Sequence, residues 1–411
     1  MGRRLKNISN SPLGKPDRLI FELANLVKDK VFLPNADSLY VVLGTIAGNV
    51  LKGEPVWLML VGPPSSGKTM LLNMCYIDKN HHMPKMYSID MIESIGALLS
   101  GTPKKDSKGG TGGVLNSIGD HNAMLFIKDF TSMLSMPHDA FVKVVGALRR
   151  VYDGYFDRPI GTDGGKILQW SGKVGLLTAC TNSIDTHHGS ISELGQRWMY
   201  YRMDDSDGYG ETMSALKNTD PKATMRELYH AVKEFLETVG VDYKDAHGLD
   251  ARPFTELESN RLYCVGVLST KARSPVVRDW KTKEISAVPE TEDTRRMSRA
   301  LGQLYLGLEI IGLDERDRWR IVTRVASDSI PRLRQRIIRE SSKGREVKIA
   351  PISELVHCGR FVVKCALEDL ECHGIMEQGS VKNNRFGDGK GTWRLTGWAK
   401  KYIKLGWGGD K

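Results

Sequence analysis

Apolar residues recur at helical spacing near the start of the chain. Leu19, Leu23, Leu26 and Val27 fall on one side of a helix predicted over 18–31. A second apolar helix is predicted over 36–51, with Asn35 as its candidate cap. The pattern then changes to a short unbroken run, Val56-Trp-Leu-Met-Leu-Val61. Such a run suits a strand buried on both faces of a parallel sheet. Further strands are predicted at 85–89, 123–127, 175–179 and 198–203. Helices at 70–76, 93–99 and 141–152 alternate with them, which predicts an α/β layered domain. Residues 155–174 read as a hairpin insertion, with glycines at 161, 164, 165 and 172. Residues 1–17 read as a loose arm, and 101–113 as a Gly/Lys-rich loop. From 212 to 339 the pattern is helical, chiefly over 221–239, 255–271 and 291–311.

The last segment, 348–396, reads as a winged helix. A short helix (351–356) and a turn (357–359) lead to an amphipathic helix (360–373) whose core side carries Val363, Leu367 and Leu370. Two strands joined by a basic loop would form the wing. In helix-turn-helix proteins the second helix enters the major groove. Arg360 and Lys364 on that helix, with Lys382, Arg385 and Lys390 on the wing, are the candidate DNA contacts. They suit phosphate better than base edges. The alternative is a winged helix used for protein contact.

Composition changes this picture in one respect. Of 411 residues, 40% are hydrophobic and 26% charged, ordinary for a globular protein. The apolar runs are too short for a membrane-spanning helix, and the basic N-terminus lacks a signal-peptide core, so a cytoplasmic protein is expected. Six cysteines form no CxxC pair, so buried reduced thiols are expected rather than a zinc site, Cys358, Cys365 and Cys372 included. The net charge of +10 is uneven: from Glu315 onward there are 21 basic residues against 12 acidic ones. A basic block of this kind suits a polyanion partner.

The sharpest chemistry lies at Gly62-Pro63-Pro64-Ser65-Ser66-Gly67-Lys68-Thr69. In a G-x-x-x-x-G-K-[ST] loop the backbone N–H groups cradle phosphates, the lysine reaches the β/γ-phosphates and the hydroxyl binds Mg²⁺. An apolar strand before it and a helix after it are the context this loop requires. ATP and Mg²⁺ are therefore the expected ligands. An acid at the end of a buried strand should follow, and Asp129 supplies it. A polar residue ending another buried strand, Thr181 or Asn182, would touch the γ-phosphate or orient the attacking water. Arg197, before the 198–203 strand, suits a finger reaching a neighbour's γ-phosphate.

The order of these elements resembles the AAA+ ATPases, and within them the minichromosome-maintenance-like branch. Ser94-Ile-Gly-Ala-Leu-Leu-Ser-Gly precedes Ile127-Lys-Asp-Phe, then come a helix and hairpin, a strand ending in Asn182, and Gln196-Arg197-Trp198. The chain is also similar to ATPases of phages and mobile elements with a Pro-Val-Trp strand before a Gly-Pro-Pro-Ser-Ser-Gly-Lys-Thr loop. The likeness spans roughly 35–340. It departs at the acidic strand, where one of the family's two carboxylates is missing beside Asp129. Asp90 or Glu93 is the candidate substitute base. The resemblance implies a P-loop AAA+ parallel-sheet domain over 35–210, after an N-terminal arm and helix over 1–34. It implies a helical lid and linker over 211–340, and the winged helix would occupy 341–411. It puts a sensor arginine at Arg295, against ion pairing with Glu290, Glu292 or Asp293, and makes Arg273 and Arg278 further lid candidates. It implies a homo-oligomer, a hexameric ring first, with Arg197 acting between subunits. A hairpin carrying Arg158, Lys166 and Lys173 would move DNA. The expected function is ATP-driven work on DNA, as a helicase, helicase loader or replication initiator meeting other replication proteins. The alternative is an ATP-binding switch that hydrolyses weakly and recruits protein partners.

Overall fold

The computed structural model describes residues 16–78, 80–100, 112–161, 165–193, 197–205, 208–243, 248–344, 346–379 and 391–407. The chain groups into two compact units. The first comprises Met1–His187, Gln196–Arg252 and Gly302–Val322. The second comprises His188–Gly195, Pro253–Leu301 and Thr323–Lys411. Of the segment expected to be a lid, 211–252 and 302–322 group with the first unit, and 253–301 and 323–340 with the second.

The first unit is built on a parallel sheet. Its strands are β1 (Trp57–Val61), β4 (Met86–Ile89), β5 (Asn122–Ile127), β8 (Lys173–Cys180) and β9 (Met199–Arg202), in the order β4-β5-β8-β1-β9. Two small antiparallel ribbons lie outside it: β2 (Tyr76–Asp78) with β3 (His81–His82), and β6 (Tyr155–Ile160) with β7 (Lys166–Ser171). The strands β1, β5 and β9 are buried throughout. That burial accounts for their unbroken apolar sequence, since a parallel sheet is covered on both faces. At about 1.5–3 kcal/mol for each large apolar side chain removed from water, these strands anchor the unit. The one polar side chain buried inside β8, Thr178, donates its hydroxyl to the Ile127 carbonyl at 2.8 Å.

Helix Asp37–Val50 covers one face and is buried along its length. Its Asn49 clamps the entry to β1: the amide donates to the Val56 carbonyl at 3.0 Å and accepts from the Val56 N–H at 2.8 Å. This helix meets the 302–310 turns backbone to backbone. A Cβ on Gly307 would lie 2.0 Å from the Gly44 carbonyl oxygen, and one on Gly48 would lie 2.6 Å from the Gln303 oxygen.

Several expectations shift. The first helix, Pro16–Lys30, buries Ile20, Leu23, Ala24 and Val27, leaving Leu19 and Leu26 only partly covered. Asn35 sits one residue before the cap of the next helix, where its side chain accepts from the Asp37 N–H at 2.9 Å. The helix after the phosphate-type loop, Lys68–Asn73, stops before Tyr76. There Asp78 turns the chain into the β2–β3 ribbon by accepting from the Asn80 and His81 N–H groups at 2.8 and 3.0 Å.

In the second unit, helices Ile349–Val356 and Arg360–Cys372 flank a turn in which His357 is left-handed at φ 54°. Two short ribbons belong to this unit, β10 (Val277–Arg278) with β11 (Ile285–Ala287) and β12 (Met376–Gln378) with β13 (Trp393–Leu395). Val347 adds a bridge to Trp393. Val363, Leu367 and Leu370 are fully buried, as their spacing predicts. A further helix, Gly397–Gly406, packs on helix Glu256–Arg273 and is capped by the Thr396 hydroxyl, which accepts from the Ala399 N–H at 3.1 Å. Lys382, Arg385 and Lys390 lie outside the described residues. Of the cysteines, Cys75, Cys180 and Cys264 are buried, but Cys358 and Cys365 are only partly so and Cys372 is exposed, so the expectation of buried thiols fails for these three. Among the described residues no helix is long and apolar enough to cross a membrane.

Candidate nucleotide site

All five parallel strands end at one edge of the sheet, where open α/β sheets bind ligands. The loop 62–69 leaves β1 there. Gly62 donates its N–H to the Cys180 carbonyl at 3.1 Å, which ties the loop to the end of β8. Ser65 (φ 63°) and Gly67 (φ 79°) are both left-handed, curling the loop so that the helix begins at Lys68. Only Gly67 adopts that conformation without steric cost. Lys68 is buried, and its ammonium donates to the carbonyls of Gly62 (3.0 Å) and Pro63 (2.5 Å) and to the Ser66 hydroxyl (3.1 Å). Burial lowers the Lys68 pKa, against an opposing effect from Cys180. An anion placed among these donors would relieve that desolvation.

Beside the loop is a cavity of about 420 Å³. Ser65 to Met70 line one side, and Phe32, Leu33, Met203 and Met225 contribute apolar walls. Phe32 packs on Gly210, where a Cβ would lie 2.0 Å from the ring. Asn35 donates to Asp204, pinning the segment before helix Asp37–Val50 to the chain beyond β9. An apolar cavity opening onto a cradle of backbone donors suits a base joined to phosphates.

The acidic element follows β5. Lys128 and Asp129 donate their N–H groups to the Ile89 and Asp90 carbonyls at 3.0 and 2.9 Å, so Asp90 lies beside Asp129. Asp129 is exposed and caps the helix Phe130–Leu134; its carboxylate accepts from the Ser132 N–H at 3.2 Å and from the Ser132 hydroxyl. One strand, β8, separates β5 from the loop strand β1. Cys180 at its end lies within electrostatic reach of both Asp129 and Lys68; burial, first, pushes its thiol up to about 11. The 62–69 loop, through the Gly62 N–H on the Cys180 carbonyl, and the helix that Asp129 caps, through the Thr131 hydroxyl on the Thr181 N–H, both meet the end of β8.

The polar end of β8 is held from two sides. Thr181 donates its N–H to the Thr131 hydroxyl at 3.0 Å, and its own hydroxyl pairs with Ser183 at 2.7 Å. Asn182, half-buried, opens a 3-10 turn to Asp185. Arg202 at the end of β9 donates to both Asp185 oxygens, at 2.8 and 2.9 Å, and anchors that turn. Sequence reading missed Thr131 and the Arg202–Asp185 pair. Each is an ordinary polar residue until the sheet order brings it to this edge.

Other candidates are placed differently. Arg197 is 6% exposed, donates to Asp153 at 3.3 Å and lies 5.5 Å from the Tyr152 ring centroid. A reach to a neighbour's phosphate requires that arrangement to open. In the second unit Arg295 is exposed and donates to the Asp293 carboxylate at 2.7 Å, so it makes one of the ion pairs that its sequence neighbours offer. Arg273 pairs with Glu292 at 2.5 Å, and Arg278 with Asp369 at 2.7 Å and Glu368 at 3.1 Å. Arg360 and Lys364 are exposed on their helix, Lys364 lying 3.5 Å from Glu368. Of the hairpin cations, Lys166 is exposed, but Lys173 is drawn inward and donates to the Leu51 carbonyl.

Among the described residues no group of three or more His, Cys, Asp or Glu side chains is placed to hold a metal ion. Magnesium suits this edge nonetheless, because it keeps most of its water and binds through one or two protein oxygens plus phosphates. Thr69 and Asp129, both exposed hard-oxygen donors, are the residues that would hold it.

No protein-family model matches the chain. No curated protein matches it in sequence. Among solved structures, the chain is similar to the SCCmec type IV Cch active helicase at 12% identity and TM-score 0.36, over 94% of this chain and 71% of that one. It is similar to the NrS-1 C-terminal region at 11% identity and TM-score 0.29, over 66% and 58%. The third, NtrX from Brucella abortus, gives 15% identity and TM-score 0.30, over 86% and 72%. Likenesses this distant carry no argument about function.

Proposed function

We propose that the chain is an ATP-dependent ATPase acting on DNA, of the AAA+ kind. One observation carries the reading: the 62–69 loop, Asp129 and the Thr181–Asn182 turn follow strands that end at one sheet edge, and the loop lines an apolar cavity. The strand order, with one strand between the loop strand and the acid strand, supports the AAA+ resemblance. On this reading Lys68 turns from its loop carbonyls to the β/γ-phosphates, and the loop N–H groups hold the phosphate oxygens. Bound magnesium would neutralise charge developing on the transferred phosphoryl group. Thr181 or Asn182 orients the attacking water, and Asp90 stands in for the missing second carboxylate.

The DNA part draws on the charge excess after Glu315 and on the helix-turn-helix with its β12–β13 ribbon, read as a winged helix. Arg360 and Lys364 would meet phosphate there. A ring of identical subunits, hexameric first, fits an Arg197 finger only after its contact with Asp153 opens.

One observation favours the switch reading. Asp129 is engaged in capping its own helix, with Lys128 rather than a second acid before it. The discriminating experiment is ATP turnover with and without single- and double-stranded DNA, in wild type and in Arg360→Ala/Lys364→Ala. DNA-stimulated turnover that weakens in the variant supports the DNA-acting ATPase. Turnover indifferent to DNA would falsify it in favour of the switch.

A further inference from the structure

Helix His138–Tyr152 has a strong apolar face, buried through Phe141, Val144, Val145, Leu148 and Val151. In its middle stands Gly146. A glycine within a helix costs about 1 kcal/mol relative to alanine, so it usually answers a need for close packing. No such need exists here: a Cβ on Gly146 would meet nothing within 4 Å. Instead Gly146 lines an open groove of about 680 Å³ between this helix and the start of the β6–β7 hairpin.

The groove is rimmed by Lys143, Arg149, Arg150 and Arg158, against two acids, Asp153 and Asp157. Asp153 is engaged by Arg197, so the groove keeps a positive excess. Lys143 and Arg150 are exposed and make no ion pair among the described residues. Tyr155, 53% exposed, adds an aromatic face to the same groove. Cations that follow a backbone, an aromatic platform for a base and a floor cleared for close approach are what single-stranded nucleic acid requires.

We propose that this groove seats a single strand of nucleic acid, with phosphates against Lys143 and Arg150, the sugar–phosphate chain over Gly146 and a base on Tyr155. The proposal deepens the DNA-acting reading and rests on it. It places strand contact on the ATPase unit itself, separate from the helix carrying Arg360.

The test is fluorescence anisotropy of a labelled oligothymidylate with the full chain over a salt series. Wild type is compared with Gly146→Leu, Lys143→Ala/Arg150→Ala and Tyr155→Ala. Losing two phosphate contacts should flatten the log–log salt slope by about 1.4, at ~0.7 per contact on a single strand. Gly146→Leu fills the groove with a better helix former, so affinity should fall on the order of tenfold without a lower melting temperature. Tyr155→Ala should weaken binding at all salts and leave the slope unchanged. Wild type that binds the strand while the groove variants match it in affinity and slope overturns the groove and leaves the DNA reading standing. Wild type that binds no strand at low salt overturns both. If Gly146→Leu alters the mass in light scattering but leaves strand affinity intact, the groove belongs to a neighbouring copy of the chain and the proposal fails.

Discussion

Lys68 is held by two carbonyls and a hydroxyl of its own loop, a cation buried among neutral acceptors. Its removal should reduce ATP turnover by roughly 100-fold or more, the scale of losing a preorganised charge at a developing anion. Asp129→Asn should raise the magnesium concentration needed for half-maximal turnover, a shift that a mere cap would not produce. A titration of turnover against magnesium reads this directly. Lys173 gives a separate test of the fold. Burial lowers its pKa to about 8, well under the ordinary 10.5. Between those values the unfolded chain holds the proton and the folded chain does not, so stability rises with pH across that window. Urea unfolding at pH 7.5 and 9.5 should show up to ~2 kcal/mol of gain from this residue. Lys173→Met should lose that part of the pH dependence. At this scale the positions of the loop residues and of Asp129 at strand ends were legible because contiguous sequence carries them. Arg197 was not, because its partners Asp153 and Tyr152 are set by tertiary packing, and the cavity walls at Phe32, Met203 and Met225 come from three separated segments.

Elements were legible where their periodicity was dictated by burial. The runs at β1, β5, β8 and β9 are apolar because both faces are covered, so they stood out without help. Short ribbons such as β2–β3 and β10–β11 did not, since their pairing depends on single turns. Nor did the Gly397–Gly406 helix, whose start is marked only by the Thr396 cap. Close approach of two helices is equally invisible until both are placed. Gly307→Ala would put a methyl group into the Gly44 carbonyl and should cost about 1–3 kcal/mol or more in unfolding free energy. In the second unit Asp369 accepts from the buried Arg334 at 2.8 Å and from Arg278 at 2.7 Å. Asp369→Ala strands a buried guanidinium and should destabilise by ~3–5 kcal/mol. Calorimetry on both variants checks these costs, and a melting temperature equal to wild type in either would contradict the packing described.

At the scale of the whole molecule, the sheet turns scattered residues into a site. The strand order leaves one strand, β8, between the strand leading to Asp129 and the strand leading to the 62–69 loop, with Thr181 and Asn182 just beyond the end of β8. Sequence order alone suggested this sharing, and the register of β1, β8 and β5 supplies it. The charge excess after Glu315 and the helix pair over 349–372 are carried by different residues from the 62–69 loop and Asp129. That separation makes the central claim testable by itself. The measurement is phosphate release from magnesium–ATP by the purified chain, beside Lys68→Ala. The account expects steady release by wild type that requires magnesium and falls to background in the variant. Release by Lys68→Ala equal to wild type, or none by wild type that nonetheless binds ATP, would contradict hydrolysis at this loop.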